Sequence, residues 1–254
     1  MSCGNGEPCP LCRDGEGLEI AFSMAFQPIV DIEAGGVYAH EALVRGPAGQ
    51  PAPTVLDRIG PDNRYAFDQA CRVRAVRMAA ELDMPGRLSI NFLPNAVYQP
   101  EHCIRTTLEA CERHGFPVDR IIFEITEGEQ VVDHAHLRGI VREYQRQGFL
   151  TAIDDFGAGY SGLNLLADLQ TDLIKLDMAV VRGIDRDRGR QAIVRGVLQV
   201  CRDLGIDVIA EGVETRGELR ALRDFGITCF QGFLFARPGF ETLPEVPASV
   251  YAGT

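Results

Sequence analysis

DLIKLDMAVVRGIDRDRGRQAIVRGVLQVCRDLGIDVIAE (172–211) is the stretch whose reading decides the fold. It opens and closes on short apolar runs, DLIKLD (172–177) and DVIAE (207–211), and between them RQAIVRGVLQVCRDLG (190–205) carries apolar residues at three- and four-residue spacing. Strand, helix, strand in that order is a crossover unit, which joins parallel strands. The same rhythm runs outward from it. Apolar runs at FSMAFQPIV (22–30), VYAHEALV (37–44), RLSIN (87–91), RIIFEI (120–125), FLTAID (149–154) and TCFQ (228–231) bring the strands to eight. Their apolar character suits strands covered on both faces. Helical spacing fills the intervals at 66–83 and 101–115, and Gly115, Gly148, Gly205 and Gly226 stand where a helix ends before the next strand. Eight strands alternating with helices predict a TIM-like (β/α)8 barrel of the α/β class. The first two strands are separated only by Asp31 to Gly36, too short for a helix, so this pair is expected to be an antiparallel hairpin.

Length and composition agree with one such domain. The chain has 254 residues, 46% of them hydrophobic and 24% charged, and α/β barrels run to about 250 residues. A net charge of −11 argues against a surface for polymeric nucleic acid, which needs a basic footprint. A small anionic substrate stays compatible with it if cations intervene. No apolar run approaches the roughly 20 residues that span a bilayer, and the start lacks a signal peptide. The expectation is a cytoplasmic protein without membrane insertion. The eight cysteines form no compact disulfide framework. Cys9 and Cys12 have CxxC spacing beside Cys3, but no fourth ligand is apparent, so residues 1–17 read as a tail with incidental thiols ahead of a domain over 18–254.

Polar residues interrupt the strands at one end. Asn91, Glu124, Asp154, Asp155, Lys175, Asp177, Glu211 and Gln231 all fall at or just after strand C-termini, the ends that converge on the active-site face of a barrel. One carboxylate after a strand is as often a helix cap. Eight polar positions around one barrel mouth are a pattern. Glu41, Asn91, Glu124, Asp154 and Asp155 offer only oxygen donors, which suits Mg²⁺ or Mn²⁺ better than zinc. The neighbours Asp154 and Asp155 can each touch a different ion, or one can bridge both, as a two-metal phosphodiester hydrolysis requires. None of the five histidines falls among these carboxylates, and His134 and His136 read as solvent-exposed near a helix start. No GxSxG elbow supports a serine nucleophile.

EALVRG (41–46), SINFLP (89–94), FEITEGE (123–129), IDDFGAGYSGLNLL (153–166), DLIKLD (172–177), VIAEGVET (208–215) and FQGFLFARP (230–238) resemble, in order and spacing, the motifs of the EAL-domain cyclic-di-GMP phosphodiesterases. The resemblance covers roughly residues 18 to 243 and implies hydrolysis of cyclic-di-GMP to linear pGpG. It implies that Glu41, Asn91, Glu124 and Asp154 hold a first divalent cation, that Asp154 and Asp155 hold a second, and that the cations are Mg²⁺ or Mn²⁺. Ca²⁺, with its looser shell, is expected to inhibit. By the same resemblance Lys175 orients the attacking water and Glu211 serves as general base or as an outer partner of that water. Arg45 binds a substrate phosphate, Gln27, Leu43 and Gln231 contact substrate, Glu127 holds the loop after Asp155, and Asp177 and Glu214 support the site. Gly46 stands where many relatives carry an aromatic residue, and Phe92 and Leu93 vary a Leu-Ser pair; neither change removes a donor.

The resemblance further implies a homodimer whose contact lies along 155–166 and reaches the cation site through the loop that Glu127 tethers. No cyclase signature or sensor precedes the barrel, so a stand-alone enzyme, or one regulated through its tail or a partner, is expected. Two other classes stay open. One is a catalytically silent cyclic-di-GMP receptor acting through a protein partner, which loss of a ligand or of Lys175 would have favoured. The other is a lyase or aldolase using Lys175 as a Schiff base, against which the oxygen-donor set speaks.

Overall fold

The computed structural model describes residues 18–97, 99–126, 134–159 and 162–251. Cys3, Cys9, Cys12 and Glu127 lie outside them. The chain opens with strands β1 (Ser23–Asp31) and β2 (Gly36–Arg45). These pair antiparallel in the register Gln27↔Glu41 and Ile29↔Ala39. A short helix α1 (Pro53–Leu56) and the long α2 (Arg64–Glu81) lead to β3 (Arg87–Asn91). Next come α3 (Pro100–Cys103), α4 (Arg105–His114), β4 (Ile121–Thr126), α5 (His134–Arg146), β5 (Leu150–Phe156) and α6 (Gly162–Asp168). The last units are β6 (Leu173–Leu176), α7 (Met178–Val181), α8 (Arg188–Leu204), β7 (Asp207–Ala210), α9 (Arg216–Asp224), β8 (Cys229–Gln231) and β9 (Gly239–Phe240).

Strands β2 to β8 are parallel and neighbour one another in chain order, and β1 closes the ring by pairing antiparallel with both β2 and β8. The result is the expected eight-stranded TIM-like barrel with one reversed strand. Each expected strand is present to within two residues. Gly115, Gly148, Gly205 and Gly226 all have positive φ, between 69° and 95°, the left-handed turn that lets a chain leave a helix and enter a strand.

Three details differ from the sequence reading. The helix expected over 101–115 is broken at Ile104 into α3 and α4. The segment after Pro238, where the sequence reading placed no strand, adds β9 antiparallel to β1, with Phe240 opposite Ala25. His136 is half-buried, its ring Nε2 lying 2.5 Å from the Val97 carbonyl beyond β3; α5 turns it toward the protein, not toward solvent.

The core has two parts. Outward-facing strand residues such as Ile90, Phe123, Ile153, Ile174 and Phe230 pack under the helices in one large cluster. Inside the barrel, a separate small cluster gathers Ile29, Ala39, Ile122, Ala152, Leu173 and Ile209. Strand side chains alternate faces, so the residue two positions further on points into the barrel again. Those next residues are Glu41, Glu124, Asp154, Lys175 and Glu211, with Gln27 two positions back on the reversed strand. The apolar plug thus sits directly beneath a charged layer. Among the described residues, no helix is long and apolar enough to cross a membrane.

Candidate active site

Lys175, 1% exposed, is the hub of the charged layer. Its Nζ lies 2.8 Å from Glu211, 3.0 Å from Glu124, 3.0 Å from Asp154 and 3.4 Å from Glu41. Burial alone would pull this ammonium down, but the carboxylates outweigh it and raise it above its usual range. Burial pushes the Glu124 carboxyl well up, and Lys175 only partly opposes this. Glu211 is pushed up to about 8, first by burial and then by Asp154 and Glu41 against the pull of Lys175. Desolvation and the adjoining Asp154 carry Asp155 to about 6.

Carboxylate oxygens of Glu41, Glu124 and Asp154 lie within 4.8 Å of one another, and so do those of Asp154, Asp155 and Glu211. Asp154 belongs to both groups. Consecutive residues of a regular strand face opposite ways, yet both aspartates reach one mouth, because the β5–β6 register shifts between Ile153 and Phe156. Asp155 takes φ 54° there. Such bulges and left-handed non-glycine residues gather at functional sites, where surrounding structure holds them. The Asp155 N–H donates to Asp154 Oδ1 at 2.9 Å, fixing that carboxylate.

Further hydrogen bonds set the donors. Asn91 Nδ2 donates to Glu41 Oε1 at 2.9 Å and Gln231 Nε2 to Glu41 Oε2 at 2.8 Å. Ser89 Oγ donates to Glu124 Oε1 at 2.5 Å. Gln27 Nε2 donates to the Ala236 carbonyl at 3.2 Å, and Gln231 Oε1 is buried with no hydrogen-bond partner.

The cavity at this mouth is lined by Gln27, Glu41, Asp155, Asp177, Glu211, Glu214 and Gln231 of the sequence-derived set. Asp177 caps α7 by accepting the Ala179 N–H at 2.7 Å, and Glu214 pairs with Arg182 at 2.5 Å. Leu43 and Arg45 lie further along β2 on the parity of Glu41, and Arg45 turns its guanidinium to the Val44 carbonyl. The lining also includes Met178, Gly212, Gly232 and Phe233, which sequence reasoning did not single out. Ser89 was likewise missed, although its place two residues before Asn91 puts it on the inner face. At Gly232 a Cβ would fall on the backbone of Val213, so only glycine lets these loops meet.

The donor set fits divalent cations on chemical grounds. Fully ionised, the five carboxylates and one ammonium of this mostly buried cluster carry four net negative charges, the charge that two divalent ions neutralise in place of protons, and all the donors are hard oxygens.

Fold and site together define a TIM-like barrel with an acidic, oxygen-donor site at its C-terminal mouth. Residues 18–238 match the model of the EAL domain, and the chain belongs to this family. A standalone EAL protein of Vibrio cholerae O395, solved with c-di-GMP bound, is 51% identical, with a TM-score of 0.90 over 93% of this chain and 100% of that one. Klebsiella pneumoniae BlrP1, solved with manganese and cyclic-di-GMP, is 36% identical with a TM-score of 0.84, over 94% of this chain and 59% of that one. Among curated proteins, the probable cyclic di-GMP phosphodiesterase PdeG of Escherichia coli K12 is 30% identical over 84% of this chain and 44% of its own length. The chain spans 55% or less of the length of the first curated relatives it matches.

Proposed function

We propose that the chain hydrolyses cyclic-di-GMP to linear pGpG, using two divalent cations, Mg²⁺ or Mn²⁺, held by Glu41, Asn91, Glu124, Asp154 and Asp155. The observation that carries this is the pair of carboxylate groups sharing Asp154 at the barrel mouth. Bound there, the cations would polarise a phosphoryl oxygen and lower the pKa of a water. The chain's own residues do the rest. Lys175 orients the attacking water and engages Oε1 of Glu211; Glu211 takes the proton of that water on its other oxygen. The water oxygen forms the new P–O bond as the bond to the leaving ribose oxygen breaks; that oxygen takes a proton from solvent, and Glu211 returns to solvent the proton it took. Gln27 and Gln231 present amides to the substrate beside Leu43, with Gln231 Oε1 an acceptor still to be satisfied. Arg45 supplies a guanidinium for a substrate phosphate. Asp177 and Glu214 hold the loops at the rim, and Glu127 tethers the loop after Asp155.

The proposal extends to the setting. The catalytic domain covers 18–254, the protein acts in the cytoplasm, and two copies associate along 155–166, where Leu163 of α6 is 60% exposed. Sedimentation and turnover across one dilution series test the last point: a monomer at full specific activity rejects it. Chromatography after incubation with cyclic-di-GMP and Mg²⁺ or Mn²⁺ tests the function. Appearance of pGpG supports hydrolysis, whereas tight binding without product assigns the chain a receptor role.

A further inference from the structure

On the outer side of the barrel wall, α2 buries a charged pair that the proposed chemistry does not use. Arg72 is 0% exposed and Asp68 3%. They meet at 2.7 Å, and Arg72 Nη1 donates to the Tyr144 hydroxyl of α5 at 2.7 Å. The guanidinium carbon lies 5.2, 5.1 and 5.7 Å from the ring centroids of Phe92, Phe123 and Tyr144. Phe92 directly follows Asn91, and Phe123 directly precedes Glu124. The other oxygen of Asp68 accepts the Leu93 N–H at 2.9 Å, while the Phe92 N–H donates to the Glu124 carbonyl at 3.1 Å. The chain leaving β3 is therefore held from two sides within two residues of Asn91.

Stability alone is a weak reason for such a pair. Replacing a buried ion pair by apolar side chains of similar size often leaves a protein as stable or more so. An apolar pair, however, has no acceptor for the Leu93 N–H. It also lacks a planar cation whose place among three rings is fixed by an ion pair and one hydrogen bond. Phe92 builds one wall of this cage.

We infer that Asp68 and Arg72 are positioning residues for the divalent-cation site, holding the turn after β3 against β4 so that Asn91 and Glu124 present their oxygens together. The inference rests on the cation-site reading above. Asn91 also donates to Glu41, so a shift of the turn displaces three donors at once.

The test compares two double variants of the full chain, Asp68→Leu with Arg72→Met and Asp68→Asn with Arg72→Met. Both remove the charges, and only the second keeps an acceptor for Leu93. Mn²⁺ affinity is read by electron paramagnetic resonance titration, and exchange of the Leu93 amide is read in metal-free protein. The first variant is expected to lose about tenfold or more in Mn²⁺ affinity, the scale of outer-shell partners, with faster Leu93 exchange. The second is expected to recover most of both. Equal Mn²⁺ affinity in wild type and a folded first variant overturns the inference. Should the first variant not fold, Tyr144→Phe decides, since it removes only the hydroxyl that holds Arg72: weaker Mn²⁺ binding supports the role and unchanged binding rejects it. Failure of the wild type to bind Mn²⁺ would instead sink the function proposed above.

Discussion

Two layers of the barrel interior, one residue pair apart along the same strands, are built on opposite principles. The lower holds Ile29, Ala39, Ile122, Ala152, Leu173 and Ile209 and is wholly buried. The upper holds Gln27, Glu41, Glu124, Asp154, Lys175 and Glu211, and four of its carboxylates share one ammonium. Burial stabilises the first layer, since each apolar side chain leaves water. In the second, burial opposes the charges, and the fold must carry them. The lower layer therefore supplies the rigidity on which the strained upper layer stands, as a preorganised site requires.

The largest expected effect comes from removing the carboxylate that both groups share. Asp154→Ala should reduce pGpG formation to background and abolish Mn²⁺ binding, with Glu41→Ala close behind. The melting temperature of the metal-free protein should hold or rise, because one repelling charge is gone. A clear loss of metal-free stability would show that the upper layer is structural after all. Next is Glu211→Gln, which should slow turnover by about 10²-fold or more while leaving cyclic-di-GMP binding largely intact. Turnover at the wild-type rate would remove Glu211 from the proton transfer.

In the lower layer the response reverses. Ile122→Ala should cost about 2–5 kcal/mol of stability, as buried large-to-small changes do, with little change in turnover per folded molecule. Denaturant unfolding beside active-site titration separates the two readouts. A variant that is stable yet inactive would merge the layers into one functional unit.

The smallest effect expected is on pH dependence. Burial raises Glu211 to about 8 and Asp155 to about 6 in the metal-free fold. Between the ordinary carboxylate range near 4 and these values, the folded chain holds protons that the unfolded chain has released. Metal-free stability must then fall as pH rises from about 4 to 8. Cations compete with those protons, so the gain in melting temperature from Mn²⁺ should grow across the same interval. A gain that stays flat from pH 6 to pH 8 would break the assignment. Ca²⁺ should give a comparable thermal gain but suppress turnover, its larger shell holding reacting oxygens less closely; full turnover with Ca²⁺ alone would contradict this.

What the sequence by itself determined follows from periodicity. Alternation within strands and helical spacing between them set the order of elements, the reversed first strand and the end of the barrel to which Glu41, Asn91, Glu124, Lys175 and Glu211 converge, because these depend only on neighbours along the chain. Tertiary structure decided what depends on contacts across it. Regular alternation would turn Asp155 away from Asp154, and only the register shift against β6, with φ 54° at Asp155, brings both to one mouth. In α2 the pair Asp68 and Arg72 reads as an ordinary i, i+4 ion pair, of the kind that usually faces solvent. Nothing in the local pattern says that Leu93, Phe92, Phe123 and Tyr144, up to 76 residues away along the chain, close around it. Sequence spacing fixes which way a side chain points, whereas its partners are fixed by which segments the closed barrel brings together.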